Sequence, residues 1–235
     1  MRFVAVKSAE AQSQASLFRS RVLLVGQRTQ LLNALRGHLA EYGLVAPAGA
    51  AKVEPLVRSL STVGDALPIA IQLLARSFLA QIQTLSDAIS ELEGHLKSQA
   101  KCNTVTRRLQ TMPGIGPMTA VAIDAFAPPP EVFRSGRDFA AWVGLVPRQH
   151  STGGKARLGR VSKMGQQDIR RLLIIGAMAV VRWTVRKGPR PGSWLAGMLA
   201  RKPKMLVAIA LANKMARSLW AMLKSGENYR VPAAV

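Results

Sequence analysis

From Pro68 to about residue 100, apolar side chains fall at Ile71, Ala75, Phe78, Ile82, Leu85, Ile89, Leu92 and Leu96, in alternating steps of four and three. Sustained this long, the pattern is the heptad seam of coiled-coil packing and not the broader stripe of an ordinary surface helix. At 1.5 Å per residue the segment is a rod roughly 45 Å long. Its seam has to be covered by the preceding helix, by a second copy of the chain, or by both, and the sequence leaves that choice open.

The preceding helix is legible over residues 15 to 42, where Leu17, Val22, Val25, Leu32, Leu35 and Leu39 share a face and Gly43 supplies a stop. Arg21, Arg28 and Arg36 lie off that face, as a solvated surface or as nucleic-acid contacts. A turn-rich link, "GLVAPAGAAKVEP", joins the two helices, and the composition changes after "SQAKCNT". The expected fold class is mainly α: an N-terminal helix and long coiled-coil arm, then an all-helical domain with a helix-hairpin-helix and a basic serine loop. The expected divisions are 1–45, 46–103 and 104–228.

Charge separates these parts. The 235 residues carry a net +21; 10 basic and 7 acidic residues up to position 100 give +3, and 23 and 5 beyond it give +18. So basic a domain repels itself unless a polyanion relieves it, which makes nucleic acid the leading partner, with a generically basic surface or an anionic membrane as the alternatives. Low aromatic content, 5%, argues against a base-stacking platform of the single-strand-binding type. The single Cys102 excludes an internal disulfide framework and a multi-cysteine zinc site, which fits a reducing compartment. The longest apolar run, "LLIIGAMAVV", is about half of the ~20 residues a spanning helix needs, and no signal-peptide stretch precedes it. A cytoplasmic location without membrane attachment is expected.

Within the basic half, "RRLQTMPGIGPMTAVAI" has the form of a helix-hairpin-helix. Its Gly114 and Gly116 permit a tight turn, Pro117 suits the first turn of the second helix, and that helix directs free N–H groups at an anion. With Thr119 and Ala120 in the frame, such an element grips a DNA backbone without reading bases; the plainer reading is a corner between two helices.

Farther on, "RQHSTGGKARLGRVSKMGQQ" lies in a stretch without acidic residues between Asp138 and Asp168 and carries Arg148, Lys155, Arg157, Arg160 and Lys163. Gly153 and Gly154 let a backbone approach a phosphate, and the start of the following helix sets Arg170 and Arg171 beside the loop. A serine hydroxyl is a poor nucleophile until a base or a cationic field assists it, and clustered cations supply the field. Ser151 is the candidate and Ser162 its rival. By the residues alone, a phosphate-binding loop without a nucleophile is an equal alternative.

Other reactive types are sparse. His150 neighbours Ser151, whereas His38 and His95 sit on helices. Tyr42 and Tyr229 lack the basic cluster of a tyrosine recombinase. The carboxylates show no arrangement suited to a two-metal nuclease, and no Walker loop, zinc motif or dinucleotide fingerprint is present.

Taken together, "MPGIGPMTA", "FAAWVGLVPRQHSTGGKARLGRVSKMGQQDIRRLLI" and "MLVAIALANKMARSLWAML" resemble the C-terminal domain of a particular family of insertion-sequence transposases. These join a RuvC-like DEDD domain to a serine-bearing domain and are guided by a bridge RNA. The likeness covers residues 105–225, and "QRTQLLNALRGHLAEYG" is similar to the family segment that leads into a coiled-coil dimerisation arm. The resemblance implies site-specific recombination through a serine attached covalently to DNA, and by motif that serine falls on Ser151. Implied partners are double-stranded DNA, a structured guide RNA and further copies of the chain, in the bacterial cytoplasm at the nucleoid.

In the family the acidic residues lie upstream of the segment that here reads "MRFVAVKS". Residues 1–45 are therefore expected to be a remnant of the RuvC-like domain, its terminal strand "FVAVK" and following helix, in an N-terminally truncated chain. No cofactor is expected in this chain, Mg2+ belonging to the missing domain, and catalysis is expected to be incomplete without it. The alternative is a catalytically inactive DNA-binding remnant, or a dominant inhibitor that dimerises with the full-length transposase.

Overall fold

The computed structural model describes residues 6–47, 49, 53–63, 66–155 and 157–231. Most of the expected strand "FVAVK" lies outside them. The chain divides into two compact units, one of residues 16–95 and one of the residues up to 15 together with those from 96 on.

The first unit is built from α1 (Ala9–Ala40), α2 (Val53–Val63) and α3 (Ile69–Cys102), the long helices α1 and α3 each running on into the other unit. Leu32, Leu35 and Leu39 of α1, Leu56 of α2 and Ala75 and Ile82 of α3 form its core. On α3 the two layers of the heptad seam differ. Ala75, Ile82, Ile89 and Leu96 are buried, whereas Ile71, Phe78, Leu85 and Leu92 are half-buried. Arg21 and Arg28, left open between solvent and nucleic acid, are held within the unit: Arg21 Nε donates to Glu93 Oε1 at 3.0 Å, and Arg28 Nη1 to Ser86 Oγ at 3.3 Å.

The second unit is mainly helical, comprising α4 (Thr104–Leu109), α5 (Pro117–Phe126), α6 (Gly136–Val143), α7 (Gln167–Lys187), α8 (Trp194–Arg201) and α9 (Lys204–Ser225). Its core centres on α7 and α9, against which α4, α5 and α6 pack. Ile169, Leu173, Ala177 and Val181 of α7 meet a face of α9 that includes Val207, Ala208, Ala212 and Leu219, all buried. Small residues on both helices let the axes approach, a requirement for close ridge-into-groove packing. Among the described residues α9 is the one helix long and apolar enough to cross a membrane by length and composition, but its apolar face is this packing surface.

The unit is not wholly helical, as the sequence reading expected. An antiparallel ribbon pairs β1 (Pro147–Gln149) with β2 (Leu158–Val161), Pro147 lying opposite Val161 and Gln149 opposite Leu158. The physical reason is the turn. Gly153 and Gly154 both have positive φ, 54° and 77°, the two-residue conformation that matches strand twist in a hairpin. Thr152 bridges Lys155 across it.

Candidate nucleic-acid interface

The segment from α4 to α5 turns through Gln110–Gly116. Asn103 caps α4, its Oδ1 accepting from the Val105 and Thr106 N–H groups at 2.7 and 3.3 Å. Leu109, Met112 and Ile115 fix the turn from below, each at most 5% exposed. The two glycines divide the labour. Gly114, at φ 88°, lies against α7: a Cβ on Gly176 would stand 2.0 Å from the Gly114 carbonyl oxygen. Gly116 faces open space and precedes Pro117 at the start of α5, where no side chain caps the helix. The leading N–H groups of α5 are therefore available to an anion. Thr119 is instead buried in the core at 6% exposure, so its hydroxyl is not presented with them.

The far end of α5 is closed by Lys7, whose Nζ donates to the Ala125 carbonyl at 2.7 Å and stands 5.1 Å from the Phe126 ring centroid. A cation there complements the helix dipole. Nearby Asp124 accepts from Asn103 Nδ2 at 3.0 Å. Burial, then the Glu10 charge, push its carboxyl above the usual range, and the Asn103 hydrogen bond offsets this in part.

The ribbon is anchored at its base by backbone contacts with the end of α6. That helix is capped by Ser135 at one end and by Gly144 in the left-handed region at the other. A Cβ on Gly144 would stand 1.9 Å from the Met164 carbonyl oxygen, and one on Gly165 would stand 1.9 Å from that of Trp142. Ser162 N–H donates to the Val146 carbonyl at 2.9 Å, and Gln166 N–H to that of Trp142 at 3.1 Å. Arg170, expected as a phosphate ligand, is half-buried and donates through Nη1 to the carbonyls of Val143 at 3.0 Å and Met164 at 3.4 Å. It caps α6 and fastens the loop.

Lys163 takes φ 56°, the only positive φ outside glycine among the described residues. Such a conformation is unfavourable for a residue with a Cβ and survives only where its surroundings impose it. Here Lys163 donates its N–H to the Gly144 carbonyl at 3.3 Å and is flanked by the close Gly144–Met164 and Gly165–Trp142 contacts.

Ser151 sits just beyond β1, half-buried. Its Oγ accepts from the Arg157 N–H at 3.0 Å and from Gln149 Nε2 at 3.2 Å. The His150 ring lies over Gly159, where a Cβ would come within 2.7 Å of its Nε2. Arg148, Lys155, Arg157, Arg160, Lys163 and Arg171 are all exposed. Arg148 Nη2 reaches the Ser162 carbonyl at 3.3 Å. Among the described residues none of these cations is paired with a carboxylate, and no three His, Cys, Asp or Glu side chains gather to hold a metal ion.

The site thus combines a strongly cationic, mainly helical unit, a serine on a ribbon and a helix start that no side chain caps. Residues 106–190 match the transposase IS116/IS110/IS902 family. The chain is 46% identical over 232 residues to a probable family 20 transposase of Pseudomonas aeruginosa, covering 98% of this chain and 69% of that protein. It is 37% identical to the transposase for insertion sequence element IS1111A of Coxiella burnetii, over 99% of this chain and 64% of that protein. For the transposase of IS1328 from Yersinia enterocolitica the identity is 35%, over 96% and 67%. The chain belongs to the IS116/IS110/IS902 transposase family. It spans 59 to 69% of the length of these and one further relative.

Proposed function

We propose that this chain supplies the serine-bearing and self-associating parts of an insertion-sequence transposase acting on double-stranded DNA, with Ser151 as nucleophile. The observation that carries the reading is the setting of Ser151 Oγ: two N–H donors on the oxygen, a glycine turn beside it, and unpaired cations around it. In the step proposed, Oγ bonds to phosphorus and one P–O ester bond breaks. The serine proton passes to water and the departing deoxyribose oxygen takes one up. The Arg157 N–H and Gln149 amide stabilise Oγ as it gives up its proton, while Arg148, Lys155, Arg160 and Lys163 hold the phosphodiester and meet the charge that develops on its oxygens. Because one phosphodiester replaces another, the linkage is conserved for rejoining.

The N–H groups at Gly116 and beyond grip a second stretch of backbone, without reading sequence. Metal-bound carboxylates and a guide RNA, as the family resemblance implies, come from outside these 235 residues. Ile71 and Phe78 of α3 pack against the unit's own core, and the part of the half-buried layer that a second copy covers is Leu85 and Leu92. The reaction takes place in the bacterial cytoplasm at the nucleoid.

The test joins this chain to the part of the Pseudomonas aeruginosa relative that it does not match and supplies element-end DNA, structured RNA and Mg2+. A covalent protein–DNA adduct on a denaturing gel is expected, lost in Ser151→Ala and kept in Ser162→Ala. The reverse pattern overturns the assignment. Absence of any adduct, with DNA binding retained, selects the alternative of an inactive DNA-binding partner that associates with a full-length transposase.

A further inference from the structure

A cleft of about 840 Å3 opens between the α4–α5 turn, the second half of α7, the start of α8 and α9. Its floor is apolar, with Met112, Val180, Leu211 and Met215. Two of the chain's four tryptophans stand on its walls, Trp183 at 64% and Trp194 at 40% exposure. Indoles so exposed are the kind of apolar surface that marks an interaction site.

The rim is cationic. Lys187, Arg190 and Lys214 line the cleft, and no carboxylate does so among the described residues. Lys214 Nζ lies 4.8 Å from the Trp194 ring centroid, which fixes the charge beside the aromatic face. Tyr229 closes one side, its N–H donating to Thr111 Oγ1 at 2.9 Å. Burial pushes its phenol above the ordinary range, a sign that water is partly excluded there.

Flat aromatic walls, an apolar floor and cations at the mouth match a planar heteroaromatic ring attached to a phosphate. We propose that this cleft receives an unpaired nucleobase of a bound strand, stacked on Trp183 or Trp194, with its flanking phosphate held by Lys187, Arg190 and Lys214. The charge of the cleft selects a polyanion over an apolar peptide, and aromatic stacking tolerates any base. The proposal rests on the reading of this domain as nucleic-acid binding, but uses none of the residues assigned to the serine ribbon.

The experiment uses the whole chain and a duplex carrying 2-aminopurine, either paired with thymine or unpaired opposite an abasic site, in DNA and RNA versions. The unpaired probe is expected to bind about tenfold more tightly than the paired one and to lose fluorescence on stacking. Trp183→Ala with Trp194→Ala removes the preference and the quenching and leaves affinity for the paired duplex unchanged. Trp183→Phe with Trp194→Phe keeps both, which separates stacking from a folding defect. The DNA and RNA arms identify the strand that supplies the base.

Preference and quenching that persist in the double alanine variant overturn the proposal. So does a wild-type chain that binds paired and unpaired duplexes alike, which leaves the DNA-binding reading standing. A chain that binds neither overturns both. Tryptophan-dependent binding unaffected by Lys155→Ala, Arg157→Ala and Arg160→Ala keeps the cleft and removes the ribbon from the interface.

Discussion

The unit of residues 16–95 and the unit that holds the α4–α9 helices stay folded by different means. The first relies on repetition: aliphatic side chains return at fixed intervals along α1 and α3, and many equivalent contacts share the load. The second relies on single points of close approach, where Gly114 meets Gly176 and where Gly144 and Gly165 receive the carbonyls of Met164 and Trp142. Repetition makes a surface that can be extended onto another copy. Single-point fits make a surface that holds one loop in one conformation, which the nucleophile role proposed for Ser151 requires.

The largest effect should come from a methyl group at one of those points. Gly165→Ala sets a Cβ 1.9 Å from a carbonyl oxygen at φ 93°, and is expected to cost about 3 kcal/mol or more in urea-monitored unfolding of the second unit. A loss below about 1 kcal/mol would show that the ribbon base is pliant and dissolve the contrast. In the repetitive unit, Ile82→Ala at a buried seam position is expected to cost about 2 to 3 kcal/mol, by cavity formation without a change of fold. Leu85→Ala, on the half-buried layer, should cost less in the isolated chain and show its larger effect as weakened self-association in light scattering.

The ribbon cations should leave stability untouched and act on binding. Joint substitution of Lys155, Arg157 and Arg160 by alanine is expected to lower the slope of log affinity against log salt by about 3, near one unit per lost phosphate contact. An unchanged slope places the DNA elsewhere.

The smallest effect concerns pH. Asp124 holds its proton more tightly folded than unfolded, because burial and Glu10 raise its pKa. Its contribution to stability is therefore most favourable at low pH and declines as pH rises from about 4 through the folded pKa. Asp124→Asn should flatten that decline in thermal melts taken across the window. A steeper decline in the variant would show that the Asn103 hydrogen bond dominates.

Much of the first unit is legible in the chain. The steps of four and three along α3 are local, and Leu32, Leu35 and Leu39 of α1 read as core and are core. Ala15 and Phe18 are buried as well, outside the expected stripe. In the second unit the turn around Gly114 is visible as a turn, whereas its partner Gly176 lies far along the sequence in an apolar run with no signal of its own. The ribbon was readable in part, since two adjacent glycines between Thr152 and Lys155 are a recognised hairpin signal. Low aromatic content argues against a stacking platform, yet composition does not register that Trp183 and Trp194 line one cleft.

By itself the sequence determined the helical class, the heptad arm, the uneven charge and the serine beside Gly-Gly, since each depends on neighbours within a few positions. Only the tertiary structure decided the rest. It drew Arg170 inward to backbone carbonyls, buried Thr119, and aimed the Arg157 N–H at Ser151. It also gathered two indoles and three cations from α7, α8, α9 and the α7–α8 connection into one cleft. Those outcomes depend on distances between residues remote in the chain, and such distances are fixed by packing.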